Sequence, residues 1–263
     1  MSFLACSQRI LHDRVKVFFI IVLMVIPLMD IGQILLDFYQ AEKTIQPDPR
    51  YLAFSALPTT GTNHILHKLM FWFLPIYLLI IAGEDGIEDW DTGCRDILIG
   101  RMGKKQYVWG RMRNSFTFCF LLILCSLMLN YGLLQMIFHQ GTDIWIVEGL
   151  YPPEENRMYT IGYEHPVPVN LAVILMASVF SGLIGAIGSG FAMCLHDRKL
   201  VYAITFMLWF VFIIADGGLM SILHPFTNLT MDRFTCGFLL LASGYLAVAA
   251  VLLIAEVKSD EIS

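Results

Sequence analysis

The chain has 263 residues, 57% of them hydrophobic and only 15% charged, with a formal net charge of −5. A mean hydropathy of +0.67 excludes a water-soluble enzyme or binding module, and the small, dispersed charge lacks the clustered basic face that nucleic acid requires. At about 20 apolar residues per crossing of a hydrocarbon core roughly 30 Å thick, the length accommodates about six crossings and no separate catalytic domain.

The chain opens on Arg9, His12, Asp13, Arg14 and Lys16 ahead of its first apolar run, which is too polar for a cleaved signal peptide. Phe3, Cys6, Ile10, Leu11, Val15 and Phe18 share a helical stripe, predicting a helix that lies in the inner membrane interface. Spans are then predicted at Val15–Leu36, His67–Gly83, Ser115–Phe138, Val167–Cys194, Leu200–Leu223 and Thr235–Glu256. These runs are continuously apolar, whereas lipid-facing strands would alternate, so the expected fold is an all-α polytopic membrane protein forming one domain over residues 1–263. Of the 17 Lys and Arg residues, five (Lys43, Arg50, Lys68, Arg157, Arg233) fall opposite the N-terminus and twelve on its side. That asymmetry predicts both termini in the cytoplasm of a cell membrane. Cys6, Cys94 and Cys194 fall on the inner side and Cys119, Cys125 and Cys236 within or beside spans, so no disulfide framework is expected.

Within span one, Asp30 follows Pro27, and Pro75 interrupts span two. Both prolines predict kinks. Asp30 is costly in hydrocarbon, and interfacial placement, a hydrogen bond to a neighbouring helix, protonation or a functional role would each account for it. Asn130 in span three suits a bond across helices. In span four, Ser181, Gly185 and Ser189 form one row at four-residue spacing and Gly182, Ala186 and Gly190 the next. Such faces allow close helix packing, against this chain or a second copy. Asp216, Gly217 and Gly218 mark a break near the outer end of span five. The outer loops, about Asp37–Leu66 and His139–Pro166, carry Trp145, Tyr151, Tyr159 and Tyr163, which suit an outer interface.

The inner loop between spans two and three is the most informative segment. Ile87, Trp90, Cys94, Ile97 and Leu98 recur at the spacing of one helix face, and Glu88, Asp89, Asp91, Thr92, Arg95 and Asp96 occupy the other. Gly100 and Gly103 interrupt this amphipathic helix, and Lys104 and Lys105 then lead through an aromatic run to Arg111 and Arg113. A short amphipathic helix in the cytoplasm needs a partner surface.

Glu88, Gly93, Ile97 with Leu98, Lys105, Tyr107, and Gly110 with Arg111 follow an order that resembles the cytoplasmic loop of ABC-2 type permeases, the membrane subunits of bacterial ATP-binding-cassette exporters. Met102 stands where that family often has a proline. The N-terminal stripe resembles the family's interfacial elbow helix, and Gly217–Asp232 its outer re-entrant segment. The resemblance implies that Glu88, Trp90, Gly93, Ile97, Leu98, Lys105, Tyr107 and Arg111 couple the chain to a separate cytoplasmic ATP-binding subunit. It also implies a path between two permease copies, near Pro27, Asp30, Pro75, Asp216, Gly217 and Gly218. ATP and magnesium are then expected on the partner and no cofactor in this chain. The sequence agrees in having no G-x-x-x-x-G-K-[ST], since Gly100 to Lys105 has the wrong spacing and no hydroxyl residue. His64 and His67 form H-x-x-H without a third ligand, so no metal site is expected. Glu154 and Glu155 read as a solvated turn. The cargo expected within this family is a peptide, lipid or drug. An ion-coupled carrier and a non-transporting scaffold are the alternatives.

Overall fold

The computed structural model describes residues 3–40, 48–51, 65–141, 157–214, 222–223 and 230–258. Among them the regular structure is helical throughout. Helix α1 is Phe3–His12 and α2 is Arg14–Gln40, followed by a single 3₁₀ turn at Pro49–Tyr51. Helix α3, Ile65–Leu78, ends in a π-helical turn at Leu79–Gly83, and α4 (Asp85–Asp91), α5 (Cys94–Met102) and α6 (Lys104–Ile137) follow closely. Helix α7 is the short Arg157–Glu164, α8 is Pro166–Leu195, α9 is Arg198–Ile214 and α10 is Met231–Lys258.

Four helices, α2, α6, α8 and α10, are long and apolar enough to cross a membrane, and a fifth crossing results if Leu69–Gly83 and Asp85–Asp91 form one span bent by 43°. The expectation of an all-α membrane protein therefore holds at the level of class. Helix α9 has 17 residues, about 25 Å at 1.5 Å each, short of the roughly 30 Å of hydrocarbon. The expected fifth span continues into residues 215–221, outside the described residues, as do most of both outer loops, Glu154, Glu155 and most of the re-entrant segment. The helix that carries span three begins before the expected span. It reaches back to Lys104, so the basic stretch and the span form one uninterrupted rod.

Helix α8 is the centre of the bundle, and every residue from Phe180 to Gly190 is buried. The reason lies in its small residues. A Cβ on Gly185 would stand 2.6 Å from Cys119 Sγ on α6, one on Gly182 2.8 Å from the Phe116 ring, and one on Gly190 3.1 Å from Leu252 on α10. The small face thus packs within this chain. Around it, Leu239 and Leu240 on α10 and Phe18 and Ile21 on α2 are among many large apolar side chains more than half exposed, a surface suited to lipid.

Both prolines are absorbed by the neighbouring helix. A proline lacks the N–H that would bond the carbonyl four residues earlier, leaving a buried acceptor in an environment without water. For Pro27 that carbonyl is Leu23, which accepts from Ser126 Oγ of α6 at 2.8 Å. For Pro75 it is Phe71, which accepts from Trp209 Nε1 of α9 at 2.8 Å. Asn130 Nδ2 donates to the Pro27 carbonyl at 2.7 Å, the cross-helix bond its sequence position suggests.

The N-terminal stripe divides. The chain breaks at Asp13, whose carboxylate caps α2 by accepting from the Val15 N–H at 2.9 Å. Cys6 and Ile10 are buried, whereas Leu11, Val15 and Phe18 are 60%, 58% and 59% exposed. One face of α1 therefore seals onto the protein's own core instead of facing the interface along its whole length. The side chain of Phe3 lies outside the described residues.

Candidate functional site

The inner loop departs from expectation in two ways. First, it is two helices, since Gly93 takes a positive φ of 69° between α4 and α5, which residues with a side chain rarely adopt. Gly103 does the same between α5 and α6 with a φ of 83°, while Gly100, expected to break the helix, lies inside α5. Second, the acidic face of α4 is the buried face. The π turn and the bend after it lay α4 across the end of the bundle, and Gly86 lets it reach α8, where a Cβ would stand 2.8 Å from Met193 Cγ.

Burying Asp85 and Asp89, at 2% and 0% exposure, is feasible because cations from three other helices converge on them. Lys16 Nζ of α2 stands 2.9 Å from Asp85 Oδ1 and 2.9 Å from Glu88 Oε1. The Arg111 guanidinium of α6 reaches Asp85 Oδ2 at 3.0 Å and also grips Asp89. Arg9 of α1 spans Asp89 at 2.7 Å and Glu88 at 3.0 Å, and the Tyr107 hydroxyl donates to Asp89 at 2.8 Å. Three cations and three carboxylates thus form a neutral block that ties α1, α2 and α6 to α4. Burial opposes the charge of Arg111, but Asp85 and Asp89 outweigh it and hold its pKa above the ordinary value. Burial, and next the Asp89 carboxylate, push the Tyr107 hydroxyl upward. Burial and Asp85 push the Cys6 thiol up to about 11, so Cys6 stays a neutral thiol.

A smaller knot fastens α5. Arg95 donates to Glu256 near the end of α10 at 2.7 Å and lies 4.8 Å from the centre of the Trp90 ring. Trp90 in turn lies 3.9 Å, centre to centre, from the ring of His196. Arg198 at the start of α9 approaches Glu84 and Asp91 at 3.9 and 3.7 Å. Through these contacts one end of the bundle gathers the starts of α2, α6 and α9 and the ends of α3, α8 and α10.

Of the residues assigned to coupling, Glu88, Tyr107 and Arg111 belong to the ion block. Gly93 is the turn between α4 and α5. Leu98 is partly buried against a cluster built from α6 and α8, and Lys105 is exposed. Trp90 and Ile97 remain 47% and 59% exposed. The amphipathic stripe is thus split, with Ile87 at 1% in the core. Arg9, Lys16, Asp85 and Asp89 were not assigned to the site. Their sequence signal is a carboxylate pair at i, i+4 beside a span end, matched by basic residues at the starts of other spans.

Of the residues assigned to the path, Asp30 is 1% exposed and so faces protein rather than lipid. Pro27 and Pro75 are buried, each with its orphaned carbonyl bonded as described. Asp216, Gly217 and Gly218 lie outside the described residues, as does His64. His67 is buried with its ring 4.8 Å from that of Phe71.

This arrangement defines a helical membrane protein whose short surface helices are welded to its spans at one end. The chain is 30% identical over 220 residues to a protein of Bacillus subtilis (strain 168) named as the uncharacterized protein YybM, with 84% of each chain covered. It belongs to the same family as that protein. No family model matches the chain, and no solved structure matches it.

Proposed function

We propose that this chain is the membrane subunit of a bacterial ABC exporter of the ABC-2 type. It would cross the cell membrane six times with both termini in the cytoplasm, pair with a second permease copy, and couple to a separate ATP-binding subunit. The observation that carries this reading is the dual character of α4 and α5. A coupling element must be rigidly joined to the spans it moves and must also offer a surface to the partner that moves it. The six-charge block supplies the first property, joining α4 to α1, α2 and α6. Trp90 and Ile97, left exposed among Asp91, Arg95 and Asp96, supply the second. An ion-coupled carrier would concentrate charge near the membrane midplane, whereas the ion pairs here lie toward the ends, with all but Arg50–Asp48 at one of them. The reading places hydrolysis of ATP, with its magnesium, on the partner, and a peptide, lipid or drug as cargo.

The test is co-purification with a candidate ATP-binding subunit. Ile97→Asp and Trp90→Ala should weaken the complex by roughly thirtyfold, the size of an interface hot spot, while the variants insert and fold normally. Unchanged binding and unchanged stimulation of hydrolysis would exclude the coupling role.

A further inference from the structure

The basic residues at the charged end divide into two groups. Arg9, Lys16, Arg95, Lys104, Arg111 and Arg198 are ion-paired to carboxylates. Among the described residues, Arg14, Arg101, Lys199 and Lys258 are exposed and outside these pairs, and so are two residues of α6, Lys105 and Arg113. These two flank Trp109, which is 58% exposed, and the three lie four residues apart along one row of α6. The row continues outward through Thr117, Leu121, Cys125 and Leu129, all but Thr117 exposed. Its chemistry therefore changes from cationic and aromatic to neutral and mainly apolar between Arg113 and Leu121. That is the sequence of environments from headgroup to acyl chain. An indole with one polar edge suits the boundary, and long basic side chains reach toward phosphate.

We infer that the Lys105–Trp109–Arg113 stripe is a binding site for the headgroup of an anionic phospholipid. Lys105 and Arg113 are about 12 Å apart along the helix, by eight residues at 1.5 Å. The headgroup layer is roughly 5–8 Å deep, so their flexible stems bring both charges to one phosphate level from either side of the indole. The opposite face of the same segment carries Tyr107 and Arg111 into the ion block, and a lipid held on the stripe would grip the helix that anchors α4. The site needs neither an ATPase partner nor a cargo, and its test is independent of the transport reading.

Purified full-length chain in neutral detergent is titrated with phosphatidylglycerol and with phosphatidylcholine, and bound lipid is counted by native mass spectrometry. The wild type should prefer phosphatidylglycerol, and added salt should weaken that preference. Each charge removed should cost about fivefold in phosphatidylglycerol affinity, so Lys105→Gln with Arg113→Gln should cost roughly thirtyfold and leave phosphatidylcholine unaffected. Arg101→Gln with Lys199→Gln, which removes two other exposed charges outside those ion pairs, should leave both affinities unchanged. The site is refuted if the first pair retains wild-type binding, if the second pair loses as much as the first, or if inorganic phosphate displaces the lipid at equal concentration.

Discussion

The charged end and the middle of the bundle both exclude water, yet they are assembled by opposite chemistry. At the charged end Asp85, Asp89, Lys16 and Arg111 are all at most 2% exposed, and each is tolerable only because the others are there. In the middle, α6 and α8 meet through Gly182, Gly185 and Cys119, with no charge at all, and their polar contacts are single bonds such as Ser115 Oγ to the Gly185 carbonyl at 2.9 Å. The ion block is strong as a whole and intolerant of losing one member. The small-residue seam depends on volume, and it is intolerant of gaining an atom.

The sharpest way to break the first region is Arg111→Met. It leaves Asp85 and Asp89 buried with one cation fewer each, and removing one partner of a buried pair costs about 3–5 kcal/mol. Unfolding of the purified variant, titrated in a denaturing detergent, should show that loss. Adding Asp89→Asn should recover part of it, since one uncompensated carboxylate then disappears. Wild-type stability in Arg111→Met would mean that water reaches the block.

A smaller effect separates the second region from the first. Gly185→Ala places a methyl 2.6 Å from Cys119 Sγ and 3.0 Å from its Cβ, an overpacking that should cost about 1–3 kcal/mol in the same assay. Combining it with Cys119→Ala removes the nearer atom and should restore part of the loss, the signature of two coupled neighbours. Gly100→Ala is the control. It sits in α5 with nothing within 4 Å of the added atom and should be neutral or slightly stabilising.

The contrast also explains what the sequence made legible. Spans one, four and six follow from runs of apolar residues, because burial in lipid requires them locally, and α2, α8 and α10 match Val15–Leu36, Val167–Cys194 and Thr235–Glu256 within about four residues. The small rows of span four were legible as a packing face for the same reason. The orientation of α4 was not. Helical periodicity sorts apolar from polar faces and assigns the polar one to water, whereas here Asp89 is buried and Trp90 half exposed, a reversal imposed by Arg9, Lys16 and Arg111 from distant parts of the chain. The Gly93 break was missed because a glycine within an amphipathic pattern signals φ > 0 only through its neighbours in space.

The mildest probe lies at the edge of the charged end, where the comparison can be read as a function of pH. His196 stands beyond the end of α8 with a φ of 52°, against Trp90 and near Arg95. Partial burial, and next the positive charge of Arg95, hold its pKa below the ordinary 6.5, with Glu256 and Asp91 opposing. The unfolded chain therefore takes up a proton at this site at a higher pH than the folded protein does. Stability is fully present above pH 6.5 and is lost as pH falls from there through the lower native value. His196→Asn keeps a side chain tolerant of positive φ and removes the titration. Thermal unfolding between pH 7.5 and 5 should fall less steeply in this variant than in the wild type. Gly185→Ala, which keeps His196 and whose defect carries no charge, should fall as steeply as the wild type. Equal slopes in the wild type and His196→Asn would show that the ring beside Trp90 binds its proton equally well folded and unfolded.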